Sequence, residues 1–252
     1  MNAIGTFPFL VEPFKCDCNG RYTYPNLGNC LLNAADFHAA ERRFGYVDLN
    51  AIDKSWVLSR LAIEMTEMPL PYTQLMVSTW LESAKRFFTR RNWAVKDCDG
   101  RTYGYASSVW AMIDKTTRQP VDVLSVSDGC MADYAVPDES VPIDSPSRVS
   151  INERETKEVR VLTTAFSDID VNGHVNSIRY IEHAIDCIPS DIICNRRIRR
   201  VEAAYVAESY LGDRLHFLLD HPNEDEWSYI ILREAVDGSE REVCRVKVVF
   251  AS

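Results

Sequence analysis

The order of predicted elements repeats along this chain. In each half, one strand-like run precedes a helical pattern, and four further strand-like runs follow the helix. Residues 137–150 separate the halves; they hold three prolines, several serines and acids, and almost no periodic apolar pattern, which is typical of a linker. A repeat of this kind indicates a duplicated unit. The length of 252 residues fits two small domains.

The first half contains one predicted helix and five predicted strands. Apolar residues at four-residue spacing predict a helix over about Cys30–Phe44. Clusters of aromatic and β-branched residues, or apolar–polar alternation, predict the strands. These are Phe14–Tyr24, Trp56–Met65, Leu75–Leu81, Phe87–Lys96 and Tyr103–Ile113. Asp99-Gly100 predicts a hairpin between the last two strands.

The second half repeats this order. An apolar stripe predicts a helix over Val175–Ile188, and Pro189 ends it. Asp237-Gly238 predicts a hairpin between the last two strands, at the place equivalent to Asp99-Gly100. The predicted strands are Val159–Phe166, Ile198–Glu208, Arg214–Leu219, Trp227–Glu234 and Glu242–Phe250.

The ratio of one helix to several strands constrains the fold class. A small antiparallel sheet by itself leaves one apolar face exposed. The single apolar helix of each half can cover that face, which predicts an α+β fold. A parallel α/β arrangement is disfavoured, because there one helix follows almost every strand.

One polar stretch carries most of the candidate chemistry. Two aspartates, two asparagines and one histidine lie within Asp168–Asn176, at the start of the second predicted helix. Asp170, Asn172 and His174 alternate, so an extended backbone would turn their side chains to the same side. The start of a helix offers unpaired backbone N–H groups that suit a developing oxyanion. The simpler interpretation, a polar loop that caps a helix, fits each residue taken alone.

This stretch, followed by Tyr180 and an apolar helix, resembles the active-site signature of acyl-ACP thioesterases. Segments of the first half are similar to the first domain of that family, and the resemblance covers roughly residues 5–252. The segments begin at Trp80, Thr89, Asp97 and Ala106. The resemblance implies two tandem hotdog domains, each an antiparallel sheet wrapped around a central helix. The boundaries expected are 1–136 for an acyl-binding domain, 137–150 for a linker and 151–252 for a catalytic domain.

The resemblance also implies a set of catalytic residues: Asp170, Asn172, His174 and Glu208. Glu208 matches the family's catalytic glutamate, and Ser209 stands where the plant enzymes have a cysteine. We therefore favour activation of water by Glu208 and His174 over a thiol acyl-enzyme. Ser209 as nucleophile stays open, although the chain has no G-x-S-x-G elbow.

Two further roles are expected near the helix start. Asn172 and backbone N–H groups near Gly173 and Val175 would polarise the thioester carbonyl. Asp170 would orient Asn172 or the helix-start amides, and a nucleophilic role for Asp170 also stays open.

The duplication allows an internal comparison. In our alignment Gly28-Asn29-Cys30 lines up with Gly173-His174-Val175. Pro25, Leu27 and Asn29 then replace the three polar residues of the second half. This alignment predicts one active site per chain, with the first half specialised for holding the acyl chain.

The charge balance constrains the partners. A formal net charge of −9 disfavours a general nucleic-acid binder. The resemblance implies acyl carrier protein as the partner, and because that carrier is itself acidic, a local basic patch is needed for docking. Two clusters of basic residues could form such a patch: Lys85, Arg86, Arg90 and Arg91, and Arg196, Arg197, Arg199 and Arg200. The alternative is that these basic residues are ordinary charges at strand edges.

Other features favour a cytoplasmic protein without a membrane span. No apolar run is long enough to cross a bilayer, and the N-terminus lacks a basic region before its short apolar stretch. Eight scattered cysteines favour reduced thiols. Cys16, Cys18 and Cys30 lack the spacing of a zinc site, so no metal or other cofactor is expected. Exposed sheet edges leave a homodimer open.

The resemblance therefore implies a hydrolase of fatty acyl-ACP that ends fatty acid synthesis. An acyl-CoA thioesterase would use the same chemistry on another carrier. A hydro-lyase on the same fold fits the polar set less well. A non-catalytic acyl-binding regulator would have lost the polar set in both halves.

Overall fold

The computed structural model describes residues 2–235 and 238–251, and of residues 127–129 only the backbone. It divides into two compact units, Met1–Ser145 and Pro146–Ser252. The boundary lies within the predicted linker 137–150. Asp237 of the predicted second hairpin turn lies outside the described residues, whereas the flanking strands pair as expected.

The first unit is an antiparallel sheet with one long helix packed on it. Its strands are β1 (Ile4–Leu10), β2 (Lys54–Met65), β3 (Gln74–Lys85), β4 (Phe88–Asp97) and β5 (Thr102–Asp114). Its helices are α1 (Tyr24–Ala40) and α2 (Tyr46–Asn50). The strand order is β1-β3-β4-β5-β2. Helix α1 packs against β3 and β1, and the Trp93 indole N–H donates to the carbonyl of Leu31 over 2.9 Å.

The second unit has the same plan. Its helices are α3 (Ser177–Ile185) and α4 (Ser190–Asn195). Its strands are β6 (Lys157–Thr163), β7 (Ile198–Tyr205), β8 (Arg214–Asn223), β9 (Glu226–Glu234) and β10 (Glu240–Phe250). The strand order is β7-β10-β9-β8-β6, and α3 packs against β10 and β7. The α+β prediction is confirmed, and each unit has the hotdog arrangement of a sheet around a helix.

The core of each unit lies between helix and sheet. In the first unit, Leu27, Leu31 and Trp93 are fully buried. In the second, Ile178 and Ile181 of α3 are buried, as are large side chains of the sheet such as Phe217. The apolar face that the sequence predicts for each helix therefore packs against the sheet of the same unit.

The start of the first unit differs from the prediction. The strand predicted over Phe14–Tyr24 is wrong: a 3-10 turn at Pro13–Lys15 and an irregular turn occupy that stretch, and the first strand is β1. Helix α1 begins six residues earlier than predicted, because Thr23 caps it. The Thr23 hydroxyl oxygen accepts from the side-chain amide of Asn26 over 2.8 Å, and Pro25 fits the first helical turn.

The first predicted hairpin turn is confirmed. Strands β4 and β5 are antiparallel neighbours. Between them Gly100 has a φ of +85°, a left-handed conformation that costs little without a Cβ. The Asp97 carboxylate accepts from the backbone N–H groups of Asp99 and Arg101, over 3.0 and 2.9 Å.

Candidate active site

A tight turn precedes helix α3 and holds three of the four predicted catalytic residues. The backbone N–H of Asp170 donates to the carbonyl of His174 over 2.8 Å, and that of Gly173 donates to the carbonyl of Asp170 over 3.0 Å. Gly173 has a φ of +80°, which glycine adopts without strain. The residues that flank the turn, Ile169 and Val175, form an antiparallel bridge.

The Asp170 carboxylate stabilises this turn from inside. Its Oδ1 accepts from the backbone N–H of Asn172 over 2.8 Å and from that of His174 over 3.3 Å. Asn172 is exposed at the tip of the turn. Asn176 follows as the N-cap of α3, with its side chain accepting from the N–H of Ile178 over 2.8 Å. Asp170 thus fixes where Asn172 and His174 stand.

His174 and Glu208 come together from different segments. The loop after β7 reaches the turn because the N–H of Val175 donates to the carbonyl of Ser209 over 2.8 Å. This places Nε2 of His174 3.5 Å from Oε2 of Glu208. The two side chains are 23% and 26% exposed, so water can reach both. An imidazole beside a carboxylate in such a position can remove a proton from a bound water.

Tyr210 and Arg233 join this pair, and the sequence analysis missed both. The Tyr210 hydroxyl donates to Oε2 of Glu208 over 3.3 Å, and its ring meets that of His174 edge-on. The Arg233 guanidinium donates to the carbonyl of Glu208 over 3.1 Å. Arg233 lies on β9, 25 residues beyond Glu208, so no local pattern indicates the contact.

Two polar residues near the site, Asp168 and Ser209, are buried. Asp168 is buried; its carboxylate accepts from the N–H of Ala165 and lies 3.0 Å from Nε2 of His183 on α3. Ser209 is fully buried beside Tyr180. Burial of the Tyr180 side chain raises the pKa of its phenol above the ordinary value. A serine enclosed in this way is poorly placed to attack a substrate.

The backbone N–H groups expected to polarise a carbonyl are already engaged. Those of Gly173 and His174 donate to Asp170, and that of Val175 donates to Ser209, over 3.0, 3.3 and 2.8 Å. These amides therefore shape the turn. The side chain of Asn172, in contrast, is exposed at the tip of the turn.

The first unit contains a second copy of the turn. The N–H of Asp17 donates to the carbonyl of Arg21, and that of Gly20 to the carbonyl of Asp17, over 2.8 and 2.9 Å. Oδ1 of Asp17 accepts from the N–H groups of Asn19 and Arg21, over 2.8 and 2.9 Å. Gly20 has a φ of +70°, and Cys16 and Tyr22 form the flanking bridge.

This copy overturns our internal alignment. The first half does keep an Asp-x-Asn-Gly turn, and the residue that corresponds to His174 is Arg21, eight positions before the predicted Asn29. The error follows from the misplaced helix start. The N–H of Tyr22 donates to the carbonyl of Pro69 over 2.9 Å, as Val175 does to Ser209, so Met68 corresponds to Glu208.

The first unit therefore has no imidazole at the position of His174 and no carboxylate at the position of Glu208. Arg21 instead forms an ion pair with its own turn, its Nε lying 2.9 Å from Oδ2 of Asp17. The backbone framework is duplicated, whereas the pair formed by His174 and Glu208 belongs to the second unit.

Two of the predicted docking residues are turned inward. Arg91 donates to the hydroxyl of Thr79 over 3.2 Å and lies 3.0 Å from Nδ1 of His38, and both of these partners are buried. Burial lowers the pKa of Arg91 to about 10. Arg200 is buried against Glu202, with Nε and Oε1 2.8 Å apart. We leave both out of any docking surface.

The other docking candidates lie nearer the surface. Lys85 and Arg86 are exposed, and Arg86 lies 3.3 Å from Asp122. Arg90 pairs with Glu82, and Arg196 pairs with Asp225 while its guanidinium lies over the ring of Phe250. Arg197 and Arg199 are exposed.

Within residues 2–235 and 238–251, no group of three or more His, Cys, Asp or Glu side chains has the geometry of a metal site. None of the eight cysteines, all of which lie among the described residues, forms a disulfide. Cys30 is buried, with its sulfur 3.1 Å from the hydroxyl of Tyr22. No helix in the described part of the chain is both long and apolar enough to span a bilayer.

Fold and site together define a protein of two tandem hotdog units, the second of which brings His174 and Glu208 together beside the turn. The family profile of the acyl-ACP thioesterase N-terminal domain matches residues 7–132, and that of the C-terminal domain matches residues 151–251. The chain belongs to the acyl-ACP thioesterase family.

Solved structures of acyl-ACP thioesterases have the same fold as this chain. The chain is 50% identical to an acyl-ACP thioesterase from Bacteroides thetaiotaomicron, with a TM-score of 0.89 over 99% of this chain and 98% of that one. The 12:0-ACP thioesterase from Umbellularia californica shares the fold, with a TM-score of 0.85, 18% identity, and coverage of 100% and 98%.

Among named relatives is the chloroplastic oleoyl-acyl carrier protein thioesterase 2 of Arabidopsis thaliana, 26% identical over 86% of this chain. The chain spans 63% of the length of that relative. It spans 38% of the chloroplastic palmitoyl-acyl carrier protein thioesterase of the same plant, which is 31% identical over 61% of this chain.

Proposed function

We propose that this protein hydrolyses the thioester of fatty acyl-ACP, releasing a free fatty acid and the carrier thiol, and that it thereby ends fatty acid synthesis. The observation that carries the proposal is the 3.5 Å approach of His174 Nε2 to Glu208 Oε2 in a chain of the acyl-ACP thioesterase family. Both side chains keep partial access to water, which the reaction consumes.

In the proposed mechanism, Glu208 and His174 together accept a proton from a water molecule as it attacks the thioester carbon. The carbon–sulfur bond then breaks, and the proton passes to the leaving thiolate. The enclosed position of Ser209 supports direct attack by water over an acyl-serine intermediate.

Asn172 and Asp170 have different parts in this mechanism. The side-chain amide of Asn172 polarises the carbonyl, since the neighbouring backbone N–H groups already have acceptors. Asp170 orients the turn, because its Oδ1 accepts from two backbone N–H groups. This engagement favours a positioning role for Asp170 over a nucleophilic one.

The test is release of free thiol from a panel of acyl-ACP thioesters of different chain lengths. We expect His174→Ala and Glu208→Ala each to lower kcat by about two or more decades, the size of a general-base contribution. Arg21→Ala is the matched control, because Arg21 occupies the equivalent position of the first-unit turn. It should keep kcat within about threefold.

Several outcomes would contradict the proposal. Near-normal rates in both the His174 and the Glu208 variants would remove the assigned pair. A higher kcat/KM on acyl-CoA than on acyl-ACP would make the protein an acyl-CoA thioesterase. Binding of acyl-ACP without release from any chain length would make it an acyl-binding regulator.

We further propose that Arg197 and Arg199, both exposed, contribute to docking of the acidic carrier. Lys85 and Arg86 form a second candidate patch on the first unit. The placement in the cytoplasm and the formation of a homodimer stay predictions. Fractionation of the native host and light scattering of the purified protein would test them.

A further inference from the structure

Tyr210 contacts both members of the proposed catalytic pair. Its hydroxyl lies 3.3 Å from Oε2 of Glu208, the same oxygen that lies 3.5 Å from Nε2 of His174. Its ring meets the imidazole of His174 edge-on, with centroids 5.2 Å apart and planes at 79°. Edge-to-face packing at this distance is an attractive arrangement for two aromatic rings.

Tyr210 is itself held both at its backbone and at its ring. Its backbone N–H donates to Oδ2 of Asp213 over 2.8 Å, and its carbonyl accepts from the hydroxyl of Thr164 over 2.6 Å. The Arg233 guanidinium lies 5.9 Å from the centre of the ring and also donates to the carbonyl of Glu208. One arginine therefore steadies both the tyrosine and the backbone that carries the carboxylate.

We propose that Tyr210 is a positioning residue for the hydrolytic reaction. Its hydroxyl keeps Oε2 of Glu208 turned toward His174, and its ring limits rotation of the imidazole. This role rests on the proposed function for its chemical meaning. A glutamate that is 26% exposed would otherwise exchange between rotamers, and a misplaced general base loses rate without losing substrate affinity.

The test begins with Tyr210→Phe, which keeps the ring and removes the hydroxyl. We expect kcat on acyl-ACP to fall about tenfold, with KM changed less than about twofold. Tyr210→Leu also removes the ring contact with His174, and kcat should fall further. Tyr72→Phe is the matched control, since Tyr72 is an exposed tyrosine in the equivalent loop of the first unit; its kcat should stay unchanged.

A double-mutant cycle shows whether Tyr210 acts through Glu208. In a Glu208→Gln background, Tyr210→Phe should change the residual kcat less than about twofold, because the group it positions has gone. A full tenfold effect in that background would overturn the proposal. So would a Tyr210→Phe variant with the kcat of the unaltered protein, or one altered in KM alone.

A second readout separates this inference from the proposed function. The ¹H–¹⁵N signals of the His174 ring should shift in Tyr210→Phe and in Glu208→Gln, and the double variant should resemble Glu208→Gln alone. If the protein releases no thiol but these shifts are non-additive, the proposed function fails and the positioning role stands. Additive shifts would overturn the positioning role whatever the activity.

Discussion

Asp17 and Asp170 hold two copies of the same turn by the same hydrogen bonds. Each carboxylate accepts from the backbone N–H groups two and four residues later, and each turn contains a glycine of positive φ. Only the second copy places an imidazole beside a carboxylate, since Arg21 and Met68 stand at the corresponding positions of the first. The two copies share the backbone of the turn and its aspartate, and they differ at the positions of His174 and Glu208.

The two aspartates provide a matched pair of variants. We expect Asp17→Ala and Asp170→Ala each to cost about 1–2 kcal/mol of unfolding free energy, as for the loss of a capping carboxylate. Asp170→Ala should also lower kcat at least about tenfold, because Asn172 and His174 lose their common support. Urea unfolding and thiol-release assays would check this, and an equal loss of kcat in both variants would contradict it.

The buried pair of Arg200 and Glu202 predicts a large effect on stability. Burial alone raises the pKa of Glu202, but hydrogen bonds from Ser147 and Arg200 outweigh it and bring that pKa below its ordinary value. Glu202→Ala leaves Arg200 buried without its carboxylate and should cost about 3–5 kcal/mol. Thermal unfolding would measure it, with Arg199→Ala as the exposed control. A loss below about 1 kcal/mol would refute the prediction.

His216 predicts a pH dependence of stability. A hydrogen bond with Glu158 raises the pKa of His216 above its ordinary value of 6.5; burial opposes this and Glu234 adds to it. The stabilisation is therefore fully present below pH 6.5 and is lost as the pH rises through the raised value. The melting temperature of His216→Gln should differ from that of the unaltered protein more at pH 6 than at pH 9. An equal difference at both pH values would exclude the linkage.

Charge reversal tests the proposed docking surface. Arg197→Glu combined with Arg199→Glu should raise KM for acyl-ACP about tenfold and leave KM for a short free thioester unchanged. The effect should weaken as salt is added, because salt screens exposed charges. Arg241→Glu is the control, since Arg241 is exposed on β10 and is no docking candidate. Equal changes on both substrates would count against docking at this surface.

Local signals in the sequence predicted most of the fold. For the strands after each helix, most of the predicted ends lie within a few residues of the observed ends. This is because apolar–polar alternation and turn residues such as Gly100 are local signals. The first strand was misplaced: β1 contains Pro8, a residue that strands accept mainly at a sheet edge, so it is a weak strand signal. The start of α1 was misplaced because Thr23 is an inconspicuous cap.

The candidate site could be predicted only in part. The turn at Asp170–His174 is local in sequence, so its polar residues are recognisable without a structure. Arg91 and Arg200 were grouped with surface charges because a run of arginines does not reveal which side chains point inward. Alternation along a strand separates exposed Arg199 from buried Arg200, whose partner Glu202 lies two residues further along the same strand. For Arg91 the signal is not local, because His38 beside it comes from helix α1.

The sequence by itself determined the duplication, the α+β class of each unit, and the polar turn that precedes α3, since all three follow from local periodicity and short-range hydrogen bonding. The resemblance to the family named Glu208 as the partner of His174. Only the tertiary structure decided that Tyr210 and Arg233 accompany this pair, and that the first unit repeats the turn with Arg21 and Met68 at the corresponding positions. Those relationships depend on loops brought together by strand pairing, and strand pairing joins residues that are far apart in the chain.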